Sequence, residues 1–247
     1  MAAQTIIYLS DPARFAEQER LYLRVRDKEG WVMADEQVRA LPVVPAGDRY
    51  MRLWRWRRAS LRRLIRHIKR TNSEKQLRLL DIGCGNGWMS NQLALELNAE
   101  VWAVDVNRPE LEQGARLFGS ERLQFYFADV YEAVLPEAWF DVIVLAGSMQ
   151  YFEDPATLSD ALKRVLRPGG AVHIIDTNFY QNEAARRAAG EATRTYYAQF
   201  GLQEMAAFFH HYTLKEVGGE NLNDRIWIRF LQKIKALSPF PWIKIQH

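Results

Sequence analysis

The sequence is poor in the residues that build disulfides, metal clusters and membrane spans. Its 247 residues include one cysteine, Cys84, which excludes an internal disulfide and a cysteine-based zinc cluster. No apolar run approaches the roughly 20 residues that a membrane-spanning helix needs. The N-terminus lacks the basic start and apolar core of a secretory signal peptide. We therefore expect a cytoplasmic protein with no transmembrane segment and no metal site.

The sequence also has no large excess of positive or negative charge. The chain has 33 Lys and Arg against 30 Asp and Glu, and its formal net charge is only +3. The overall charge therefore does not argue for a nucleic-acid partner. An apolar fraction of 48% with 26% charged residues is typical of a globular chain and too apolar for a disordered one. The length suits one large domain, or one domain with a cap.

The most informative stretch lies at residues 77–88, which read LRLLDIGCGNGW. A short apolar strand pattern carries an acid, Asp81, near its end, and three alternating glycines and an amphipathic helix pattern follow. Strand, glycine loop and helix are the start of a βαβ unit. The glycines let the backbone turn tightly and come close to a ligand with no Cβ in the way. The helix N-terminus beyond them presents free N–H groups.

The spacing of these glycines is G-x-G-x-G, whereas the dinucleotide fingerprint made for a pyrophosphate is G-x-G-x-x-G. A carboxylate two residues before the first glycine suits a cationic ligand better than a diphosphate. The stretch resembles motif I of the class I S-adenosylmethionine (SAM)-dependent methyltransferases, which has two aliphatic residues and an acid before x-G-x-G-x-G. The alternative is a glycine-rich turn in another Rossmann-like protein.

After the glycine loop, strand and helix patterns alternate regularly. We expect strands at residues 100–105, 123–129, 140–146 and 171–176. The resemblance covers residues 77–176, which would form the SAM-binding core. It extends to the L-R-P-G-G sequence before the last of these strands, a frequent feature of the small-molecule, type 11 members. It implies a Rossmann-like α/β fold, with a seven-stranded, mostly parallel sheet and helices on both faces.

The resemblance also assigns the cofactor contacts. Asp81 would hold the methionine amino group, and the Ala146 carbonyl would lie near it. Asp105 ends the second strand, where an acid can accept hydrogen bonds from both ribose hydroxyls, a device that nicotinamide-binding folds share. Asp129 and the Val130 amide would read the adenine. The remaining cofactor contacts would be Gly83, Cys84, Gly85, Asn86, Gly87 and Val106.

The flanks of this core are less regular. We expect residues 1–47 to form an N-terminal extension, in which Leu21–Val25 alternates in the manner of a strand. Residues 48–247 would form the methyltransferase domain. Its first part, Asp48–Arg70, has an apolar stripe and many arginines, which indicates a helix packed on the sheet with a solvated basic face. Peripheral contact of this tryptophan-containing helix with a membrane surface is the alternative.

Beyond the core we expect a helical lid over the acceptor at about residues 177–212, with its helix at Glu183–Met205. A return to the sheet is expected at 224–230 and a last helix at 230–236. The class I resemblance implies that such an insertion after the fifth strand covers the acceptor.

No motif encodes the acceptor. The loop after the fourth strand departs from the Asn/Asp-Pro-Pro-aromatic tetrapeptide of enzymes that methylate amino groups of DNA bases and glutamines, which argues against nucleic acid. We expect a small molecule, aromatic or lipophilic with an acidic group, because aromatic and basic residues flank the core. The candidate acceptor contacts are Trp56, Arg57, Gln150, Tyr151, Asn178, Tyr180, Arg194 and Tyr197.

The candidate general bases are His210 and His211, since the acids around the glycine loop are committed to the cofactor and a histidine titrates near neutral pH. Both histidines could instead be structural. Two other functions stay open: a SAM-binding module without methyl transfer, in a regulatory or scaffolding role, and a nicotinamide-dependent oxidoreductase.

Overall fold

A computed structural model describes residues 5–72, 76–224 and 238–247 of the chain. Its N-terminal part contains β1 (Ile7–Tyr8), a 3-10 turn (Pro12–Phe15), α1 (Ala16–Glu29), α2 (Asp35–Ala40) and α3 (Met51–Thr71). The core follows with β2 (Arg78–Ile82), α4 (Trp88–Leu97), β3 (Glu100–Asp105), α5 (Arg108–Phe118), β4 (Leu123–Phe127), β5 (Phe140–Ala146), α6 (Pro155–Val165) and β6 (Leu166–Ile175). The last part contains β7 (Phe179–Tyr180), α7 (Glu183–Ala198), a 3-10 segment (Gln203–Phe208), β8 (Tyr212–Thr213), α8 (Leu214–Val217), β9 (Glu220–Asn221) and β10 (Ile243–Gln246).

The main sheet has the strand order β1-β4-β3-β2-β5-β6-β10-β9. The strands from β1 to β6 in this order are parallel, whereas β10 runs antiparallel to both of its neighbours. The predicted α/β class with a mostly parallel sheet is confirmed. In the described part of the chain the sheet has eight strands instead of seven, since β1 adds a short parallel edge strand beside β4.

Helices cover both faces of the sheet. On one face α3, α4 and α5 bury Leu64, Leu93 and Leu111 against the strands. On the other face α6 buries Leu158 and Leu162. Since both faces are covered, β5 has a nearly continuous apolar sequence, FDVIVLA, as a central parallel strand requires.

The order of the strands reverses beside β2, since β3 follows on one side and β5 on the other. Ligands of open α/β sheets bind at such a switch point, in the crevice beyond the carboxyl ends of the strands. The glycine loop leaves β2 at this point, so the fold places it at the mouth of the crevice.

The strand expected at Leu21–Val25 is wrong, because these residues lie within α1. Alternation over five residues fits a helix as well as a strand when residues four apart are the buried ones. Here Leu21 and Val25 pack against Tyr197, Leu202 and Met205 from the segment after β6. The N-terminal helix and this segment therefore share a small core of their own.

The helix expected at Glu183–Met205 is present but ends at Ala198, and the 3-10 segment follows it. The elements expected at 224–230 and 230–236 lie, apart from Asp224, outside the described residues. Among the helices that the structure describes, none is long and apolar enough to cross a membrane.

Two leucines on α4 provide a test of the fold. Leu93 is 0% exposed and Leu95 is 71% exposed. We expect Leu93→Ala to lower the free energy of unfolding by about 2–5 kcal/mol through lost burial and a residual cavity. Leu95→Ala, the matched control on the same helix, should change it by less than about 0.5 kcal/mol. Urea unfolding followed by circular dichroism measures both, and equal losses would contradict the packing of α4.

Candidate functional site

The glycine loop is shaped by close contacts with its neighbours. Gly83, Gly85 and Gly87 all have positive φ, at 70°, 55° and 69°. A Cβ on Gly83 would lie 2.3 Å from the Cβ of Ser148, and one on Gly87 would lie 2.4 Å from the Phe125 ring. Backbone conformation and space therefore both require glycine at these two positions.

Asp105, at the end of β3, fixes the loop. One carboxylate oxygen accepts the N–H of Gly85 at 2.7 Å, and the other accepts those of Val106 and Asn107 at 2.7 and 2.8 Å. Burial raises the pKa of Asp105, while these N–H groups and the charge of Arg26 act in the opposite direction. The carboxylate is thus held in one orientation beside the glycine loop.

Asp81 lies at the end of β2 and is buried, with its carboxylate accepting the Ser90 hydroxyl at 2.6 Å. Burial raises the pKa of Asp81 to about 6. The side chain borders a small cavity of about 20 Å³ that Arg57 and Asp176 also line. An ionised Asp81 would gain from a cationic ligand group at this place, since the interior solvates its charge poorly.

A cavity of about 400 Å³ lies beyond the carboxyl ends of β2, β3 and β4. This size is within the usual range for small-molecule sites, about 300–1,000 Å³. Two of the expected cofactor contacts do not line it: Asp81 borders the small adjoining cavity, and Gly87 faces Phe125. Those that line it are Gly83, Cys84, Gly85, Asn86, Asp105, Val106, Asp129, Val130 and Ala146.

Helix α1 forms a roof over this cavity. Tyr22 and Arg26, one helical turn apart, line it, and so does Trp31 after the end of the helix. The Arg26 guanidinium lies 4.6 Å from the ring centre of Tyr22 and pairs with Glu29 at 3.4 Å. The sequence reasoning missed both residues, because it took this stretch for a strand; their i, i+4 spacing was the available signal.

Glu110 on α5 is a third residue that the sequence reasoning missed. It lines the large cavity, and its Oε2 would lie 2.9 Å from a Cβ on Gly85. Burial raises the pKa of Glu110 to about 7, although Arg26 and the Tyr22 hydroxyl favour its charged form. Glu110 lies in the first turn of α5, after the N-cap residue and a proline. An acid at this position stabilises a helix even when it has no role in binding.

A second cavity of about 290 Å³ adjoins the first and shares Tyr22, Arg26 and Arg57 with it. Six expected acceptor contacts and both histidines line it: Arg57, Gln150, Tyr151, Asn178, Tyr180, Tyr197, His210 and His211. Trp56 and Arg194 line neither cavity. Trp56 packs edge-on against Phe240 at 6.1 Å, and Arg194 is exposed.

Arg57 lines all three cavities. Its guanidinium lies 5.3 Å from the ring centre of Trp31 and 5.0 Å from that of Trp54. Burial lowers the pKa of Arg57, while the charge of Asp176 raises it. Within the described residues it has no carboxylate within 4.0 Å. Arg57 is therefore a half-buried cation available to an anionic group.

Asp176 follows β6 and has a φ of 55°, in the left-handed region. One oxygen accepts the Ser60 hydroxyl at 2.6 Å, and Oδ2 is buried with no hydrogen-bond partner among the described residues. Burial raises the pKa of this carboxyl. A buried acceptor without a donor costs free energy, which a ligand N–H or O–H could recover.

His211 lines the second cavity and contacts α7. Its Nε2 lies 2.9 Å from the Thr193 hydroxyl on α7, and its Nδ1 lies 3.2 Å from the Tyr180 hydroxyl. Burial lowers the pKa of His211, so the ring favours its neutral form. His210 is held differently, since its backbone N–H donates to the Gln150 carbonyl at 2.7 Å.

Together these residues form two joined compartments, one bordered by acids and the glycine loop and one by aromatic rings, arginines and histidines. Within the described residues, no three His, Cys, Asp or Glu side chains are grouped so that they could hold a metal ion.

Comparison with known proteins identifies related domains. Residues 80–174 match the family model of the methyltransferase domain. An uncharacterized methyltransferase of Mycobacterium tuberculosis is 32% identical over 97 residues, which cover 39% of this chain and 49% of that protein. The ubiquinone biosynthesis O-methyltransferase of Xylella fastidiosa is 37% identical over 116 residues, covering 45% and 46%. The chain spans about half the length of these curated relatives.

Among solved structures, geranyl diphosphate C-methyltransferase from Streptomyces coelicolor aligns with a TM-score of 0.56 and 14% sequence identity, covering 84% of this chain and 83% of that chain. Its structure holds S-adenosylhomocysteine (SAH). This similarity concerns the fold.

The raised pKa of Asp81 predicts a pH-dependent affinity. If Asp81 holds the amino group of the ligand, its protonated form cannot pair with an ammonium, so binding should strengthen as the pH rises through about 6. We expect calorimetry to find SAH bound about tenfold more weakly at pH 5 than at pH 7.5. Asp81→Asn should bind weakly at both values. Glu110→Gln removes a nearby carboxyl whose pKa burial raises to about 7, and this variant should keep the pH dependence. Loss of the pH dependence in Glu110→Gln but not in Asp81→Asn would assign the effect to Glu110.

Proposed function

We propose that this chain, whose residues 80–174 match the family model of the methyltransferase domain, is a class I SAM-dependent methyltransferase that transfers a methyl group from SAM to an oxygen of a small-molecule acceptor. The observation that carries the proposal is the pair of joined cavities at the switch point of the sheet. The first contains the polar groups that SAM requires, and the second opens from it and is lined by different chemistry.

The residues around the first cavity suit the three parts of SAM. Asp81 and Arg57 border the same small cavity and offer opposite charges for the amino and carboxylate groups of the methionine. Asp105, which holds the glycine loop, can accept from the ribose hydroxyls, and Asp129 and the Val130 amide, which line the same cavity, can bind the adenine. SAM supplies a methyl group on a sulfonium, which is already electrophilic.

The second cavity suits an aromatic or lipophilic acceptor with an acidic group. Its walls include the rings of Tyr22, Tyr151, Tyr180 and Tyr197, which offer broad apolar contact. Arg26 and Arg57 line it from the side shared with the first cavity and can pair with an anion. The Xylella relative is named an O-methyltransferase of ubiquinone biosynthesis, which is consistent with such an acceptor and with transfer to oxygen.

The enzyme must align the acceptor with the methyl group, exclude water and, for a hydroxyl acceptor, remove a proton. Residues of α1 border both cavities and residues of α7 border the second, where they would limit the access of water. If the Nε2–H of His211 donates to the Thr193 hydroxyl, the Nδ1 of His211 accepts from the Tyr180 hydroxyl. In this arrangement His211 can accept a proton only through Tyr180. The acceptor proton would pass to the Tyr180 oxygen as the tyrosine proton passes to Nδ1. His211 is then a positioning residue that acts through Tyr180.

The proposal is tested by incubating the protein with SAM and a panel of phenolic and carboxylated acceptors, followed by mass spectrometry. We expect one product heavier by a methylene group, and no product from Gly85→Val. In that variant the branched side chain would meet Glu110 and resist the φ of 55°. Gly169→Val is the matched control, since Gly169 also has positive φ but no atom lies within 4 Å of its Cβ position. SAH binding without any product would favour the SAM-binding module instead.

Tyr180 and His211 should act as one unit in turnover. We expect Tyr180→Phe and His211→Gln each to lower kcat by about 10²–10⁴, the usual range for loss of general base catalysis. The KM for SAM should stay unchanged. The double variant should be no slower than the slower single one, because both changes interrupt the same proton path. His210→Gln is the control; a loss as large in that variant would assign the base to His210.

A further inference from the structure

Helix α3 carries a row of exposed cations that neither cavity uses. Its 21 residues, MRLWRWRRASLRRLIRHIKRT, include no Asp or Glu. Because an α-helix turns about 100° per residue, the exposed cations fall within an arc of about 120°. We call this surface the basic face. It consists of Arg52, Arg55, Arg58, Arg62, Arg66, Lys69 and Arg70.

The charge of the basic face is not neutralised locally. Lys69 pairs with Glu96 at 3.3 Å. For the six arginines, no carboxylate of a described residue lies within 4.0 Å. Arg52 lies over the Trp56 ring at 5.2 Å, and the Arg66 Nε donates to the Arg62 carbonyl at 3.3 Å. The small net charge of the whole chain therefore conceals one strongly positive strip.

Several other arginines on the surface pair with carboxylates, unlike the six arginines of the basic face. Arg116 pairs with Asp35 at 2.7 Å, Arg108 with Glu19 at 3.2 Å and Arg167 with Asp141 at 2.7 Å. Like charges along one helix destabilise it. An anionic partner along the strip would relieve this repulsion.

From these observations we propose that the basic face docks the protein on an anionic lipid surface. Since 21 residues of α-helix extend about 30 Å, the strip is straight and suits a flat array of headgroups. The apolar side of α3, including Trp54, Leu61 and Leu64, is buried in the core, so the helix adsorbs by charge and does not insert. The proposal does not depend on methyl transfer.

A nucleic acid is the competing anionic partner, and the composition of the strip argues against it. It presents only Arg and Lys, with no Asn or Gln to read base edges and no free aromatic ring for bases to stack on. Trp54 is buried, and Trp56 is half-buried against Phe240. Phe240 also lines the second cavity, so one end of the basic face lies next to the cavity assigned to a lipophilic acceptor.

The test is sedimentation with vesicles of phosphatidylcholine alone or with 30% phosphatidylglycerol. We expect the full chain to bind only the anionic vesicles and to be released by high salt, which screens exposed charges. The variant Arg55→Gln, Arg62→Gln, Arg66→Gln should bind at least tenfold more weakly. The control variant Arg24→Gln, Arg122→Gln, Lys163→Gln loses the same charge at exposed positions elsewhere and should bind like the wild type.

Circular dichroism and SAH affinity should be the same for all three proteins, which shows that any change in sedimentation is not a folding defect. Equal loss in both variants would mean a response to net charge alone and would overturn the proposal, as would failure of the wild type to bind. Tighter binding of a single-stranded RNA than of anionic vesicles at the same salt would assign the strip to nucleic acid instead.

Discussion

The hydrogen bonds of Asp105 are the constraint on which the site depends. This carboxylate joins the end of β3 to the glycine loop after β2 by accepting from Gly85, and it holds its own turn by accepting from Val106 and Asn107. The loop then fits between Ser148 and Phe125, where no side chain has room. Because the same carboxylate faces the large cavity, the group that shapes the loop is also the group that would bind the ribose. Structure and binding at this position cannot be separated by a single substitution.

The buried carboxyls around the cavities make the stability of the fold depend on pH. Arg26 on α1 and Arg57 on α3 line the cavities that Asp81, Asp105, Glu110 and Asp176 border, yet burial still raises the pKa of all four carboxyls. A raised folded-state pKa means that the folded chain holds these protons to higher pH than the unfolded chain. Stability contributed by these groups therefore falls as the pH rises from about 4 towards 7. A ligand that brings an ammonium and several hydroxyl or amino donors would offset this cost.

The sequence predicted best where the signal was local. The spacing of glycines and acids in residues 77–176 identified the order of strands and helices, because motif and periodicity there arise from neighbouring residues. Leu21–Val25 was misassigned because five residues satisfy two periods, and contacts with Leu202 and Met205, far along the chain, select the helix. Glu110 and Arg26 were missed for a related reason. Each borders the cavity only because contacts between distant parts of the chain bring its helix there. The seven-strand expectation omitted β1, whose two residues have too little pattern to be recognised.

Different sides of helix α3 have three different roles: one lines a cavity, one packs on the sheet and one faces solvent. Trp56 and Arg57 are adjacent in sequence, and both were expected to contact the acceptor. Successive side chains on a helix, however, point in directions about 100° apart. Arg57 accordingly points with Tyr50 and Leu53 towards the second cavity, whereas Trp56 faces Phe240. Leu61, Leu64 and Ile68 face the sheet, and the basic face points to solvent. A surface that bound the basic face would therefore hold, on the same rigid helix, one wall of the cavity in which the acceptor is proposed to react.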